Sequence, residues 1–170
     1  GRGGAIYADR GVSVNIEDTD FVGNSASDGA AIASWGGTIS GLNVTNSNTS
    51  EAGHGAVVSN EKGGAPSDNR LSISDSTFTG NEGGGLAAFN TDLDVTDTDF
   101  TNNDGAVYFE TSDTDRGFDL EMDGVNFANN TGPPASWVSE GDVASPGPDM
   151  VMLNTGDGDE KSTVSLSSVA

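Results

Sequence analysis

Residues 93–103 read LDVTDTDFTNN, and GAVYF follows at Gly105 to Phe109. Leu93 and Val95 are apolar, two apart, with Asp94 between them, which is the alternation of a strand with one face buried. Phe100 adds a third apolar position at the eighth place. Asn103 stands three residues later, where an Asn hydrogen-bonds turn backbone and tolerates a left-handed φ. In GAVYF the central Val107 marks a second short strand.

Both patterns recur along the chain. The first reads GAIYA from Gly4, AAIAS from Ala30, GAVVS from Gly55, GGLAA from Gly84 and GAVYF from Gly105, always with an aliphatic third residue. The second reads VNIEDTDFVGN from Val14, LNVTNSNTSEA from Leu42, LSISDSTFTGN from Leu71, LDVTDTDFTNN from Leu93 and LEMDGVNFANN from Leu120. Its first positions lie 28, 29, 22 and 27 residues apart, so turns vary while strands keep register. Each repeat is read as two short strands and a Phe-Xaa-Xaa-Asn corner, formed by Phe21 and Asn24, Phe78 and Asn81, Phe100 and Asn103, and Phe127 and Asn130. The Leu42 copy departs from this rule, with Thr49 at the Phe place and Ala52 at the Asn place, which marks it as the loosest repeat.

A single repeat cannot bury its inward residues alone, so copies must stack, each strand pairing in parallel with its equivalent. The expected fold is all-β, a right-handed parallel β-helix of about five to six rungs spaced about 4.8 Å apart. Residues 1–130 hold the β-helix repeats. Residues 131–170 are read as a degenerate last rung with a C-terminal strand or cap, because only Val151/Leu153 and Val164/Leu166 still alternate there. The N-terminal GRGGAIYA opens directly on a strand motif, so an excerpt of a longer chain is expected, with its flanking parts as the first partners.

Composition narrows the function. With 27 acidic and 6 basic side chains the formal charge is −21, which repels phosphate backbones and anionic lipid, so neither nucleic acid nor direct membrane insertion is expected. The chain has no cysteine, which removes disulfides, thiolate nucleophiles and thiolate zinc sites together.

On Gly3-Gly4-Ala5-Ile6, Phe21-Val22-Gly23-Asn24, Phe78-Thr79-Gly80-Asn81, Phe100-Thr101-Asn102-Asn103 and Phe127-Ala128-Asn129-Asn130, the chain resembles the polymorphic outer membrane protein repeats, marked by GGA[ILV] and FxxN. The resemblance covers residues 3–130. It implies a pectin-lyase-like β-helix, extracellular or exposed on a cell surface, used in the best-known members as an adhesive passenger. The translocating barrel of those proteins is not in this sequence.

The pectin-lyase-like shape also includes polysaccharide lyases and hydrolases, so catalysis has to be weighed at the residues. A uronate lyase needs a base and cationic groups, and Arg2, Arg10, Arg70, Arg116, Lys62 and Lys161 are scattered over different repeat positions. A hydrolase needs two spaced carboxylates, and so many acids make every pair uninformative. His54, the only histidine, sits between two glycines and is read as a turn residue. Trp35, Trp137, Tyr7 and Tyr108 are read as packing rather than as a sugar platform, since Ala33, Val58 and Ala87 separate the two tyrosines.

Carboxylates fall at fixed places. Three residues before the Phe place stand Asp18, Asn46, Asp75, Asp97 and Gly124, and one before it Asp20, Asn48, Thr77, Asp99 and Asn126. Stacked Asp75 and Asp97, with Asp99, would repel, and Ca²⁺ would relieve them; the alternative is solvated Asx turns screened by salt. Residues 154–160, NTGDGDE, alternate acids without the rest of an EF-hand loop. High Asp with little Lys also resembles proteins of saline habitats. Sequons at Asn43, Asn48 and Asn129 accept glycans if the source glycosylates secreted proteins.

The expectation is a non-catalytic structural or adhesive surface segment requiring no cofactor, with other surface proteins, glycans or copies of itself as partners. Two other readings fit the same residues: a polysaccharide-binding or polysaccharide-cleaving domain, and a subunit of an extracellular filament or appendage.

Overall fold

A computed structural model of the chain describes residues 3–9, 12, 14–35, 37–49, 55–59, 70–111, 118–131, 150–154 and 163–170. They contain strands, numbered β1 to β19 in chain order, and no helix. Every strand pairing is parallel.

The first sheet is made of β1 (Ile6–Tyr7), β5 (Ile32–Ser34), β9 (Val57–Ser59), β12 (Leu86–Phe89), β15 (Val107–Thr111) and β18 (Met150–Asn154), in that spatial order. The second is β2 (Val14–Glu17), β6 (Gly37–Ser40), β10 (Arg70–Ser74), β13 (Asp92–Thr96), β16 (Asp119–Asp123) and β19 (Thr163–Ser167). The third is β3 (Asp20–Val22), β7 (Asn43–Thr45), β11 (Thr77–Thr79), β14 (Asp99–Thr101) and β17 (Asn126–Ala128). A short pair, β4 (Ser25–Ala26) and β8 (Asn48–Thr49), follows the third sheet. The chain thus passes through the sheets in turn and returns to the first one strand further along. Residues 150–154 and 163–167 form a sixth passage, pairing with β15 and β16.

Each of the first five passages therefore has three principal strands, one more than the motif alternation implied. The extra break lies inside LDVTDTDFTNN, where Asp97 takes φ 46° and separates Asp92–Thr96 from Asp99–Thr101. The equivalent turn carries Asp18, Gly41, Asp75 and Gly124, at φ 47°, 63°, 50° and 66°. A second left-handed turn ends the third sheet at Gly23, Asn46, Gly80, Asn102 and Asn129, with φ between 50° and 65°. Asp, Asn and Gly are the residues that enter this region at least cost. The next hydroxyl closes the first turn: Thr98 Oγ1 donates to the Thr96 carbonyl at 2.8 Å, and Ser76 Oγ to that of Ser74 at 2.6 Å.

Register corrects the second passage. Gly37 and Ile39 lie opposite Val14 and Ile16 on one side and Leu71 and Ile73 on the other, while Val44 lies between Phe21 and Phe78. Val44 holds the Phe place and Ser47 the Asn place; Thr49 belongs to β8, and Ala52 lies outside the described residues. Asn46 and Asn48 accordingly leave the columns of Asp18 and Asp20, and Gly41 and Asn43 take their places. The apolar pair Leu42/Val44 imitates Leu71/Ile73 in sequence but sits one strand later.

Inward residues form one continuous core. Ile32, Val57, Leu86 and Val107 line it from the first sheet, Leu71, Ile73, Leu93, Val95 and Leu120 from the second, and Val44, Phe78 and Phe100 from the third, each 0–1% exposed. Phe78 stacks on Phe100 with centroids 4.8 Å apart and planes 11° apart, and Phe100 on Phe127 at 5.5 Å and 23°. These separations are close to the strand spacing of about 4.8 Å, so one ring from each of these three passages fills the corner at offset-stacking distance.

Candidate functional site

The residues repeated most strictly are structural. Asn103 Oδ1 accepts the Asn81 backbone N–H at 3.1 Å and its Nδ2 at 2.8 Å, while Asn103 Nδ2 donates to the Phe78 carbonyl at 2.9 Å. Asn130 does the same one passage on, accepting from Asn103 N–H and Nδ2 at 3.0 Å each and donating to the Phe100 carbonyl at 3.0 Å. All three amides are buried. They satisfy backbone groups at corners where sheet pairing lapses, which removes a desolvation penalty of about 1–3 kcal/mol per group. The ladder stops at Ser47: its N–H donates to Asn81 Oδ1 at 3.0 Å, but its fully buried Oγ has no hydrogen-bond partner among the described residues.

The carboxylates of the left-handed turns occupy the outside. Asp75 and Asp97 share the first left-handed turn in adjacent passages, since Ser74 lies opposite Thr96. Asp99 lies opposite Thr77, two residues beyond that turn. Asp75, Asp97 and Asp99 are all exposed. Among the described residues, no three His, Cys, Asp or Glu side chains gather as a metal site requires. An ideal Cβ placed on Gly124 would lie 2.5 Å from Asp97 Oδ1, and one on Gly41 would collide with Asp18 Oδ1. A glycine thus makes room for the carboxylate folded over it from the neighbouring passage.

Along the outer face of the second sheet the columns Ser72–Asp94–Glu121–Ser165 and Ser74–Thr96–Asp123–Ser167 run side by side. They line a groove of about 460 Å³ through Asp94, Thr96, Glu121, Asp123, Ser165 and Ser167. Asp94 is held at one end of it by an ion pair to Arg70 and a hydrogen bond from Ser72 Oγ at 3.4 Å. That hydrogen-bonded pairing, first with Asp94 and then through the charges of Asp92 and Glu121, holds the Arg70 guanidinium above its ordinary pKa. Arg70 is the only one of the six basic side chains among the described residues; Arg2, Arg10, Arg116, Lys62 and Lys161 lie outside them. A cationic constellation is therefore not seen beside these carboxylates among the described residues.

The outer face of the first sheet is covered at Ala33, Ala87 and Tyr108. Tyr108 is 3% exposed, its hydroxyl donates to Glu110 at 2.5 Å, and its ring lies 5.4 Å from that of Phe89. Tyr7, in the same column, is 48% exposed, so the two tyrosines do not share an accessible platform. Trp35 is half-buried, while Trp137, His54 and residues 155–160 lie outside the described residues.

The three sequons differ. Asn43 lies within β7, half-buried, and its Oδ1 accepts from Thr77 Oγ1 at 3.1 Å. Asn48 is exposed with its Nδ2 donating to the Glu82 carboxylate. Asn129 is exposed on a left-handed turn at φ 54°. The sequence names all three but contains no signal that ranks them.

Comparison with protein-family models, with curated proteins and with solved structures finds no match for this chain.

Proposed function

We propose that the chain is a right-handed parallel β-helix that serves outside the cell, as a structural or adhesive solenoid rather than as a catalyst. The observation that carries this reading is the identity of the repeated residues. The Phe78–Phe100–Phe127 stack, the Asn81–Asn103–Asn130 ladder and the paired left-handed turns recur from passage to passage, and each acts on the neighbouring passage. Repetition of that kind selects for a long, regular body.

Right-handedness is supported by the general rule that crossovers between parallel strands of one sheet are right-handed in about 98% of cases. The likeness of GGA[ILV] and FxxN to the polymorphic outer membrane protein repeats supports a surface location. So does an outer face rich in Asp, Asn, Ser and Thr, which stays hydrated without a partner. This role requires no cofactor.

Two experiments test the proposal. Protease treatment of intact source cells is expected to remove the protein without lysis, and full protection would overturn the location. Incubation of the purified chain with uronate-rich and neutral glycans, with and without Ca²⁺, is expected to release no new chain ends. Turnover would make it a polysaccharide-cleaving enzyme instead.

A further inference from the structure

Asn-Xaa-Ser/Thr is the acceptor sequence for N-linked glycans and is used where it lies on an accessible surface turn. The amide nitrogen of the acceptor must be available, because it forms the new bond. Asn43 is not on an accessible turn: it is the half-buried first residue of β7, paired in parallel with Asp20 on one side and Thr77 on the other, with its Oδ1 accepting from the Thr77 hydroxyl. Asn48 is exposed but does not have its nitrogen available, since its Nδ2 donates to the Glu82 carboxylate, and its backbone N–H is tied to the Asn24 carbonyl at 2.9 Å.

Asn129 meets both conditions. It is exposed, on a turn, and its side chain makes no hydrogen bond among the described residues. Its neighbour Asn130 takes the buried ladder position, so the two adjacent amides divide their roles, one inward to the core and one outward to solvent. The hydroxyl residue of the sequon, Thr131, is exposed and stays at the surface through a hydrogen bond to Asp104 Oδ1 at 2.9 Å. Equivalent turn positions carry Gly23, Asn46, Gly80 and Asn102, so no packing depends on the Asn129 side chain.

We infer that Asn129 is the N-glycan acceptor of the folded chain, and that Asn43 and Asn48 are not. The donor is an oligosaccharide joined through pyrophosphate to a polyisoprenoid lipid. Asn129 Nδ2 bonds to the anomeric carbon, the bond from that carbon to the lipid pyrophosphate breaks, and the amide proton leaves with the pyrophosphate. In the organism this rests on the extracellular reading above. In the experiment it does not, because the enzyme and donor are supplied.

The folded chain is incubated with a single-subunit oligosaccharyltransferase that accepts Asn-Xaa-Ser/Thr and with its lipid-linked donor, then analysed by intact mass and peptide mapping. One glycan per chain, on the peptide containing Asn129, is expected. Asn129→Gly, which places at this turn the residue found at Gly23 and Gly80, and Thr131→Val, which leaves the Asn in place, are each expected to abolish the transfer with an unchanged circular dichroism spectrum. No transfer to the folded wild type, or transfer to Asn43 or Asn48 equal to that at Asn129, would overturn the assignment. Failure here with successful shaving from cells would leave the surface role standing.

Discussion

Asn81 Nδ2 donates to Asn103 Oδ1 at 2.8 Å, and the same oxygen accepts the backbone N–H of Asn81 at 3.1 Å. One side chain thereby joins two passages of the chain at a corner where neither sheet supplies a partner. Replacing Asn103 by Ala leaves the Asn81 N–H and the Phe78 carbonyl buried without their side-chain partners, and removes one of the two acceptors of Asn81 Nδ2 while its bond to the Val44 carbonyl remains. A loss of about 3 kcal/mol is expected in urea unfolding. A loss under about 0.5 kcal/mol, the range of ordinary surface changes, would show that the ladder does not hold the stack.

The ladder has a gap that substitution can fill. Ser47 occupies the Asn place with a buried Oγ that has no partner among the described residues. Ser47→Asn puts an amide within reach of the Phe21 carbonyl and Asn81 Oδ1, as Asn81 reaches the Val44 carbonyl at 3.1 Å and Asn103 Oδ1. An increase of about 1 kcal/mol is expected, seen as a Tm higher by a few degrees. A lower Tm would mean that the smaller Val44 beside it leaves no suitable space.

Gly124 combines φ 66° with a Cβ direction that points at Asp97 Oδ1. Gly124→Ala is expected to cost about 1–2 kcal/mol from the left-handed backbone alone, with more if the carboxylate is displaced. Gly124→Asn, the residue tolerated at such turns, is expected to recover part of the loss. Equal stability of the Ala variant and the wild type would contradict the turn geometry.

Asp75 and Asp97 bring like charges together on adjacent turns. Asp97→Asn keeps the turn and removes the repulsion, so Tm is expected to rise slightly at low salt and to be unchanged at about 1 M salt, where screening is short-ranged. Calcium is expected to make no difference to either protein at fixed ionic strength. A calcium-dependent rise in the wild type that Asp97→Asn abolishes would place the ion at these turns.

Several of these features are legible in the amino-acid sequence and others are not. Leu93/Val95 and Phe100/Asn103 show their burial directly, because alternation and a recurrent aromatic-to-amide spacing survive in four of five copies. The second passage is misread because Val44 and Ser47 replace the two residues that anchor the pattern, leaving Leu42/Val44 as a false strand pair. A better guide is the pair of left-handed-tolerant residues five apart, Asp18/Gly23, Gly41/Asn46, Asp75/Gly80, Asp97/Asn102 and Gly124/Asn129, which persists in all five. Burial of Tyr108 and Glu110 on an outward column is not legible, since alternation assigns both to solvent and only tertiary contacts reverse it. The difference between Asn129 and the other sequons is likewise a matter of hydrogen bonds across passages.

The in-register parallel stack is tested most directly by disulfide formation, since the chain has no native cysteine. Thr79 lies opposite Thr101, and Ala128 lies one strand beyond, all on the outer face of the third sheet. Paired cysteines at Thr79 and Thr101 are about 4.8 Å apart, inside the usual Cα range for a disulfide, and are expected to link under mild oxidation. Cysteines at Thr79 and Ala128, about twice as far apart, are expected to stay reduced. A bond in the second pair, or none in the first, would contradict the stack.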